Sequence, residues 1–303
     1  MQKWLKAFRL KTLPLSVSGV MTGTAIALMD GYFNALLFLY CLLATISFQI
    51  LSNLANDVGD SEKGVDNDFR LGPKRSVQSG EITPKQMKNA IITTAILAFI
   101  FTALTAYEGT KGLNANFLIL FIILGIASIG AAIKYTMGRN PYGYSGLGDI
   151  FVFLFFGWLS VLGSYFLQAH DVSFTIMLPA SGIGFLSAAV LNMNNMRDHE
   201  NDAQNKKNTL IVRMGFKMGK HYHAILIFSA FLLLTQFNIY NNYRFALMIF
   251  GLPFLILLLN VMKVYKTNNP KDLEPELKKI ALTTFLISLI YFGEYFYQTQ
   301  WMH

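Results

Sequence analysis

Runs of about 20 apolar residues, scarcely interrupted by charge, recur from near the first residue of this chain to the last. A helix of that length crosses a hydrocarbon core of about 30 Å, and within lipid every backbone polar group has to be satisfied inside the segment. The runs are too long and too evenly apolar for barrel strands. The expected fold is an all-α integral membrane protein with about nine transmembrane helices. Their approximate limits are 12–30, 33–55, 88–107, 114–133, 147–168, 173–195, 222–240, 243–264 and 278–298. Hydrophobic residues make up 53% of the 303 and charged residues 14%, a composition that excludes a water-soluble globular chain. The basic start, Lys3, Lys6, Arg9 and Lys11, imitates a cleaved secretory signal. Pro14 suits the first turn of a helix and further spans follow at once, so this stretch reads as a first membrane helix.

A formal charge of +8 in a soluble protein would suggest nucleic acid. Here the basic residues lie between apolar spans, so the expected partners are the lipid bilayer and an anionic substrate, with no nucleic acid. The N-terminal tail and the connections after spans two, four, six and eight hold 23 of the 25 Lys and Arg residues; the opposite connections hold Lys111 and Arg244. The positive-inside rule then makes the N-terminus and those connections cytoplasmic, with the C-terminal end, 301–303, on the far side. Two cytoplasmic connections, about 56–87 and 197–221, are long and polar and are the expected active-site loops. No composition break divides the chain, so residues 1–303 are expected to form one transmembrane domain. The single cysteine, Cys41, lies in an apolar run and allows neither an intramolecular disulfide nor a cysteine metal site.

Polar residues gather at the ends of two even-numbered spans. If the second helix continues, Asn53, Asn56, Asp57 and Asp60 share one face, with Asp66 just beyond Gly64. The end of the sixth span repeats the design with Asn194, Asn195, Asp198 and Asp202. Stacked carboxylates repel one another, and at a membrane boundary their desolvation is costly, so a cation is the natural compensation. Mg²⁺ fits best, because it prefers oxygen ligands and is held by one or two carboxylates together with substrate phosphates. The plainer reading of either cluster alone is a solvated polar helix end; the pair facing one side favours a metal-diphosphate site.

Arg70, Lys74, Arg75 and Lys85 follow the first cluster, and Arg197, Lys206, Lys207 and Arg213 surround the second. Such side chains hold phosphate oxygens, although cytoplasmic loops carry basic residues whatever they bind. Arg75, Arg197 and Lys207 are favoured because they stand nearest the acidic faces. The connection from Lys134, Tyr135 and Thr136 through Pro141, Tyr142, Gly143 and Tyr144 to Asp149 is rich in glycine and aromatics. It reads either as a wall for an aromatic ring or a cation, or as a tight turn with interfacial tyrosines. His199 could donate to a phosphate; His221 and His223 read as boundary residues, and no zinc-type spacing occurs.

NDVGDSEKGVD at 56–66 and NNMRDHENDAQNKKNTLIVRMG at 194–215 resemble the two aspartate-rich motifs of the UbiA superfamily of intramembrane aromatic prenyltransferases. FRLKTLPLSVSGVMTGTAIA, RLGPKRSVQSGEITPKQM, GYSGLGDIFVFLFFG and KKNTLIVRMG are similar to one subgroup, the MenA-type 1,4-dihydroxy-2-naphthoate polyprenyltransferases of menaquinone biosynthesis. The resemblance covers most of 8–215, and the last three spans are compatible with it. One departure is the turn Asn205–Thr209, which lacks the glycine and second basic residue of a GKRT pattern.

The resemblance implies a helical bundle around a central cavity, open laterally to lipid. It implies Mg²⁺ bound through Asp57, Asp60, Asp66, Asp198 and Asp202, with Asn53, Asn56, Asn194 and Asn195 in support. Lys74, Arg75, Arg197, Lys206 and Lys207 would hold the diphosphate, and Lys134, Tyr135, Tyr142 and Tyr144 would contact substrate. The implied reaction moves a polyprenyl group from its diphosphate to 1,4-dihydroxy-2-naphthoate with loss of CO₂, in a bacterial cytoplasmic membrane. Two other readings stand beside it. One is another aromatic acceptor, such as 4-hydroxybenzoate; the other is a non-enzymatic carrier of isoprenoid or anion. Against a carrier, the charges cluster at one membrane face and avoid the midplane, where transporter sites lie. Oligomeric state and isoprenoid chain length stay open.

Overall fold

The computed structural model describes residues 2–301, so the expectation for the C-terminal end falls partly on 302–303, outside the described residues. Among the described residues nine helices are long and apolar enough to cross a membrane. They are α1 (Gln2–Met29), α2 (Ala35–Glu62), α3 (Pro84–Gly109), α4 (Ala115–Lys134), α5 (Gly148–Ala169), α6 (Phe174–Gln204), α7 (Phe216–Tyr240), α8 (Arg244–Lys266) and α9 (Pro270–Gln300).

Several run beyond the apolar limits read from sequence, and local chemistry explains where they start. The Asn34 side chain accepts from the Leu37 amide at the head of α2. Thr83 and Gln86 form a reciprocal capping box at the head of α3. At their far ends α2 and α6 continue through the polar segments to Glu62 and Gln204. Both acidic clusters therefore sit on helix, and the connections beyond them are shorter than 56–87 and 197–221.

Helix α1 is interrupted at Arg9, whose φ of 51° places a non-glycine residue in the left-handed region before a short 3₁₀ turn, Leu10–Thr12. Its lower half is the hub of the bundle and packs on α2, α5, α6 and α9. The α1–α5 seam is tight: a Cβ on Gly19 would meet Ser160 at 2.4 Å, and one on Gly23 would meet Ser164 at 2.2 Å. This is close helix approach through small residues at four-residue spacing. In the middle of α5, Phe153–Leu159 is π-helical, and Gly157 lets it sit against the backbone of Ala180 and Gly184 on α6. The largest buried cluster spans α1 and α5 to α9, and a smaller one joins α1, α2 and α3 through Ala7, Leu51, Leu54, Val58, Met87 and Ile91. Outward faces carry exposed side chains such as Ile92, Ile96, Ile123, Phe228, Leu232 and Leu259, the surface that lipid rather than water would cover.

Candidate active site

Helix α2 brings Asn53, Asp57 and Asp60 to its end, each at most 3% exposed, with Asn56 half-buried beside them. Helix α6 does the same with Asn195, Asp198 and Asp202 and the half-buried Asn194. Asp66 follows α2 in a turn whose amides at Val65 and Asp66 donate to the Asp60 carbonyl. Asn201 on α6 donates to the Val65 carbonyl at 2.8 Å, tying the two motifs together.

The carboxylates are held in different ways. Asp57 accepts from the backbone amides of Ser76 and Val77, at 3.2 and 3.4 Å, so the connection to α3 folds back over it. Asp60 accepts from the Tyr144 hydroxyl at 2.7 Å. Two cations bridge the motifs. Arg70 stands 3.3 Å from Asp66 and 3.4 Å from Asp198; Lys207 stands 3.6 Å from Asp60 and 3.7 Å from Asp202. Arg197, 3% exposed, pairs with Asp198, with Glu274 at the start of α9, and with the Asn194 side chain at 2.8 Å. Arg75 lies 3.6 Å from Asp66.

Neither Asp66 oxygen makes a hydrogen bond, although both are buried and arginines stand near. Burial pushes its carboxyl up to about 7, helped by Asp60 and opposed by Arg70. Burial lowers the Lys207 pKa, but Asp60, Asp202 and Asp198 more than offset it and leave the ammonium favoured. Tyr144 is raised by burial and then by Asp60, which keeps its hydroxyl a donor. The rings of Tyr144 and the ammoniums of Lys63 and Lys207 lie 5.5 and 5.3 Å apart.

Among the described residues no three His, Cys, Asp or Glu side chains converge as a preformed metal cage. The donor set nevertheless suits Mg²⁺, which takes few protein carboxylates and completes its shell with water and phosphate oxygens. A buried carboxylate with both oxygens lacking hydrogen bonds is the strongest mark of such a fit.

These residues head a cavity of about 720 Å³. Asn53, Asn56, Asp57, Asp60, Lys74, Arg75, Asn194, Asn195, Arg197, Lys207, Tyr135 and Tyr142 line it. Asp66, Asp198 and Asp202 do not line it themselves; they pair with cations that do. Tyr144 is buried against Asp60, outside the lining. Lys134 and Lys206 are exposed and do not line the cavity, and Lys74, at its rim, pairs with exposed Asp68 at 3.1 Å. His199 stacks on Phe216; His223 is buried against Asn260 at 2.9 Å; His221 contacts Tyr265. Below the polar end the walls turn apolar. Tyr142 stacks on Phe151 at 4.1 Å and Phe151 continues to Phe155, after which Phe156, Leu159, Leu124 and Phe121 follow.

Two participants were not given a site role from sequence: Arg9 lines the cavity and reaches Asn53, and Glu274 holds Arg197. Arg70, named among the bases that follow the first cluster, bridges the two motifs.

Residues 16–290 match the family profile of UbiA prenyltransferases. The chain belongs to the UbiA prenyltransferase family. This UbiA-family chain is 42% identical over 290 residues to the 1,4-dihydroxy-2-naphthoate octaprenyltransferase of Escherichia coli, covering 96% of this chain and 94% of that one. It is 41% identical over 300 residues to the enzyme of the same name from Haemophilus influenzae, with the same coverage. Its fold is that of a UbiA homologue from Archaeoglobus fulgidus solved with DMAPP and Mg²⁺ (TM-score 0.64, 15% identity, 96% of this chain and 99% of that one). The UbiA-family chain is thus a multi-pass membrane prenyltransferase.

Proposed function

We propose that this enzyme transfers a polyprenyl group from its diphosphate to 1,4-dihydroxy-2-naphthoate, with loss of CO₂, giving demethylmenaquinol. The identity to two enzymes of that name over nearly the whole chain supports the acceptor. The observation that carries the chemistry is the pairing of two aspartate clusters, bridged by Arg70 and Lys207, at the head of a cavity that turns apolar.

In this reading Asp57, Asp60, Asp66, Asp198 and Asp202 hold Mg²⁺, with Asn53 and Asn195 beside them. Mg²⁺ held there would supply positive charge against the negative charge that develops on the departing diphosphate. Arg75, Arg197 and Lys207 turn from carboxylates toward phosphate oxygens, and Asn56 supports the same end. The allylic C–O bond breaks with its electron pair leaving on the diphosphate. The ring carbon bearing the carboxylate attacks the allylic carbon, and that carboxylate leaves as CO₂, its bonding pair restoring the ring. Tyr135, Tyr142 and Phe151 offer ring faces and edges against which the acceptor packs. Tyr144 orients Asp60 without touching substrate. The apolar walls keep water from the electron-poor allyl group. Lys134 and Lys206, exposed and off the cavity lining, are assigned no step in it. The whole chain acts as one domain in a bacterial cytoplasmic membrane, with both motifs on the cytoplasmic side.

The test is purified protein in detergent with a polyprenyl diphosphate, Mg²⁺ and either 1,4-dihydroxy-2-naphthoate or 4-hydroxybenzoate, reading prenylated product and CO₂. Product with CO₂ from the naphthoate, lost with EDTA and in Asp57→Asn, is expected. Product from 4-hydroxybenzoate alone would move the acceptor; none from either, in folded protein, would leave the carrier reading.

A further inference from the structure

At Gly163, on the inner face of α5, the cavity wall is left open. Elsewhere on that helix small residues serve packing: Ser160 and Ser164 receive α1, and Gly157 receives α6. Gly163 serves none of these seams. A Cβ built there would find only Leu159 Cδ1 and Phe121 Cε1 within reach, both at 3.9 Å, and Gly163 lines the cavity. Glycine within a helix is unfavourable by about 1 kcal/mol relative to alanine, so an open, unpacked glycine calls for a reason other than folding.

Two helices agree on how deep this position lies. Gly163 is 15 residues along α5 from Gly148 at the polar end, roughly 22 Å at the rise of an α-helix. Cys41, which also lines the cavity, is 16 residues up α2 from Asp57, roughly 24 Å away. Between these ends the inner faces of α4 and α5 form a cleft walled by Leu124, Gly125, Phe155, Phe156 and Leu159. It is bounded near the polar end by Tyr135 on Tyr142, at 5.3 Å, and at depth by Phe117 and Phe121 on Phe166, at 5.2 and 5.7 Å. Beyond lies the buried cluster of Val20, Leu37, Cys41 and Leu167. The opposite side is closed at this depth by the α1–α5 glycine seam and by α1 packing on α9.

We propose that the isoprenoid tail of the donor lies in the cleft between α4 and α5, and that Gly163 is the specificity-determining position that lets a long tail pass. This rests on the reading of the cavity as a prenyl diphosphate site. A geranyl tail, with its diphosphate at the aspartates, falls short of Gly163; a geranylgeranyl tail reaches it. A side chain at 163 would project toward Phe121 and narrow the cleft at that depth.

The test compares geranyl and geranylgeranyl diphosphate as donors for native protein, Gly163→Ala and Gly163→Leu, reading kcat/KM for each. The expected result is at least a tenfold fall in the geranylgeranyl-to-geranyl ratio for Gly163→Leu, with Gly163→Ala between it and native. An unchanged ratio in active variants overturns the proposal. Since Gly163→Leu could fail to assemble, native protein is also labelled with geranylgeranyl diphosphate carrying a diazirine on its last isoprene unit, and the modified peptide is mapped. Label in α4, in the second half of α5 or near Cys41 supports the route. Label on Leu10 of α1 or on Leu277 or Ala281 of α9, which line the cavity on its other side, overturns it. No transfer by native protein from either donor would count against prenyl transfer itself, a result distinct from a changed route.

Discussion

At the scale of single residues, Asp66, if it holds Mg²⁺ as proposed, couples the site to pH. Its ordinary pKa is near 3.8, and burial raises it to about 7 in the absence of metal. A carboxyl raised in this way binds its proton more tightly, so it is ionised above about pH 7 and protonated below. Mg²⁺ needs the ionised form, and protons compete with it as pH falls through that value. The Mg²⁺ concentration giving half-maximal prenyl transfer is therefore expected to rise between about pH 8 and about pH 6, and Asp66→Asn, already weak for Mg²⁺, should lose most of that slope. A metal titration at several pH values reads this; a flat wild-type response would remove Asp66 from the ligand set. Arg197 makes a different prediction. Replacing it with glutamine leaves Asp198 buried with Arg70 as its remaining ion-pair partner and Glu274 with only Lys11, and breaking a buried pair costs about 3 kcal/mol or more. Thermal unfolding in detergent should show a clearly lowered Tm along with the lost activity. The aspartates were legible in sequence because helical spacing alone puts them on one face. Arg9 and Glu274 were not, because their roles come from the first and last helices meeting at the second and sixth, which no local pattern encodes.

At the scale of elements, counting apolar residues located all nine helices but cut α2 and α6 short at their polar ends. The count registers where hydrocarbon would end, whereas the helix stops where its backbone and side chains find other partners. For α2 that partner is the turn after α4: a Cβ on Gly59 would lie 2.7 Å from the Thr136 carbonyl carbon and oxygen. Those are backbone atoms that cannot rotate away, so Gly59→Ala should push α2 from this turn at a cost of about 1–3 kcal/mol. Asp57 and Asp60 flank that glycine, and prenyl transfer should fall more steeply than Tm; equal retention of both would show that the contact is slack. The same turn carries Tyr144. From sequence it reads either as part of a wall for substrate or as an interfacial tyrosine in a tight turn; folded, its hydroxyl donates to the buried Asp60. Tyr144→Phe removes one hydroxyl and should weaken Mg²⁺ affinity about 10-fold, the usual effect of losing a group that orients a metal ligand. Isothermal titration or the metal dependence of turnover would detect it.

At the scale of the whole molecule, the distribution of Lys and Arg predicts which side each motif faces. With Cys41 replaced by serine, single cysteines at exposed Lys206 and at exposed Lys111 should react with an impermeant thiol reagent from opposite sides of sealed vesicles, Lys206 from the side facing the cell interior. Labelling of both from one side would undo the topology. The depth and route of the cavity were not legible at all, since they depend on which helices touch and which stand apart.

Arg70, Arg197 and Lys207 have a consequence for how ligands arrive. Each rests on the very carboxylates proposed for Mg²⁺. A lone cation must dislodge them from those carboxylates, leaving Arg197 only Glu274 and Asn194 and Arg70 only the Pro73 carbonyl, and a lone diphosphate must draw them off and leave the aspartates bare. Arriving together, each ligand supplies the counterion that the other displaces. The thermodynamic result is mutual reinforcement: donor should sharpen the affinity for Mg²⁺ and Mg²⁺ that for donor by one common factor. The enzyme would behave as a coincidence detector, holding either partner weakly until both are present.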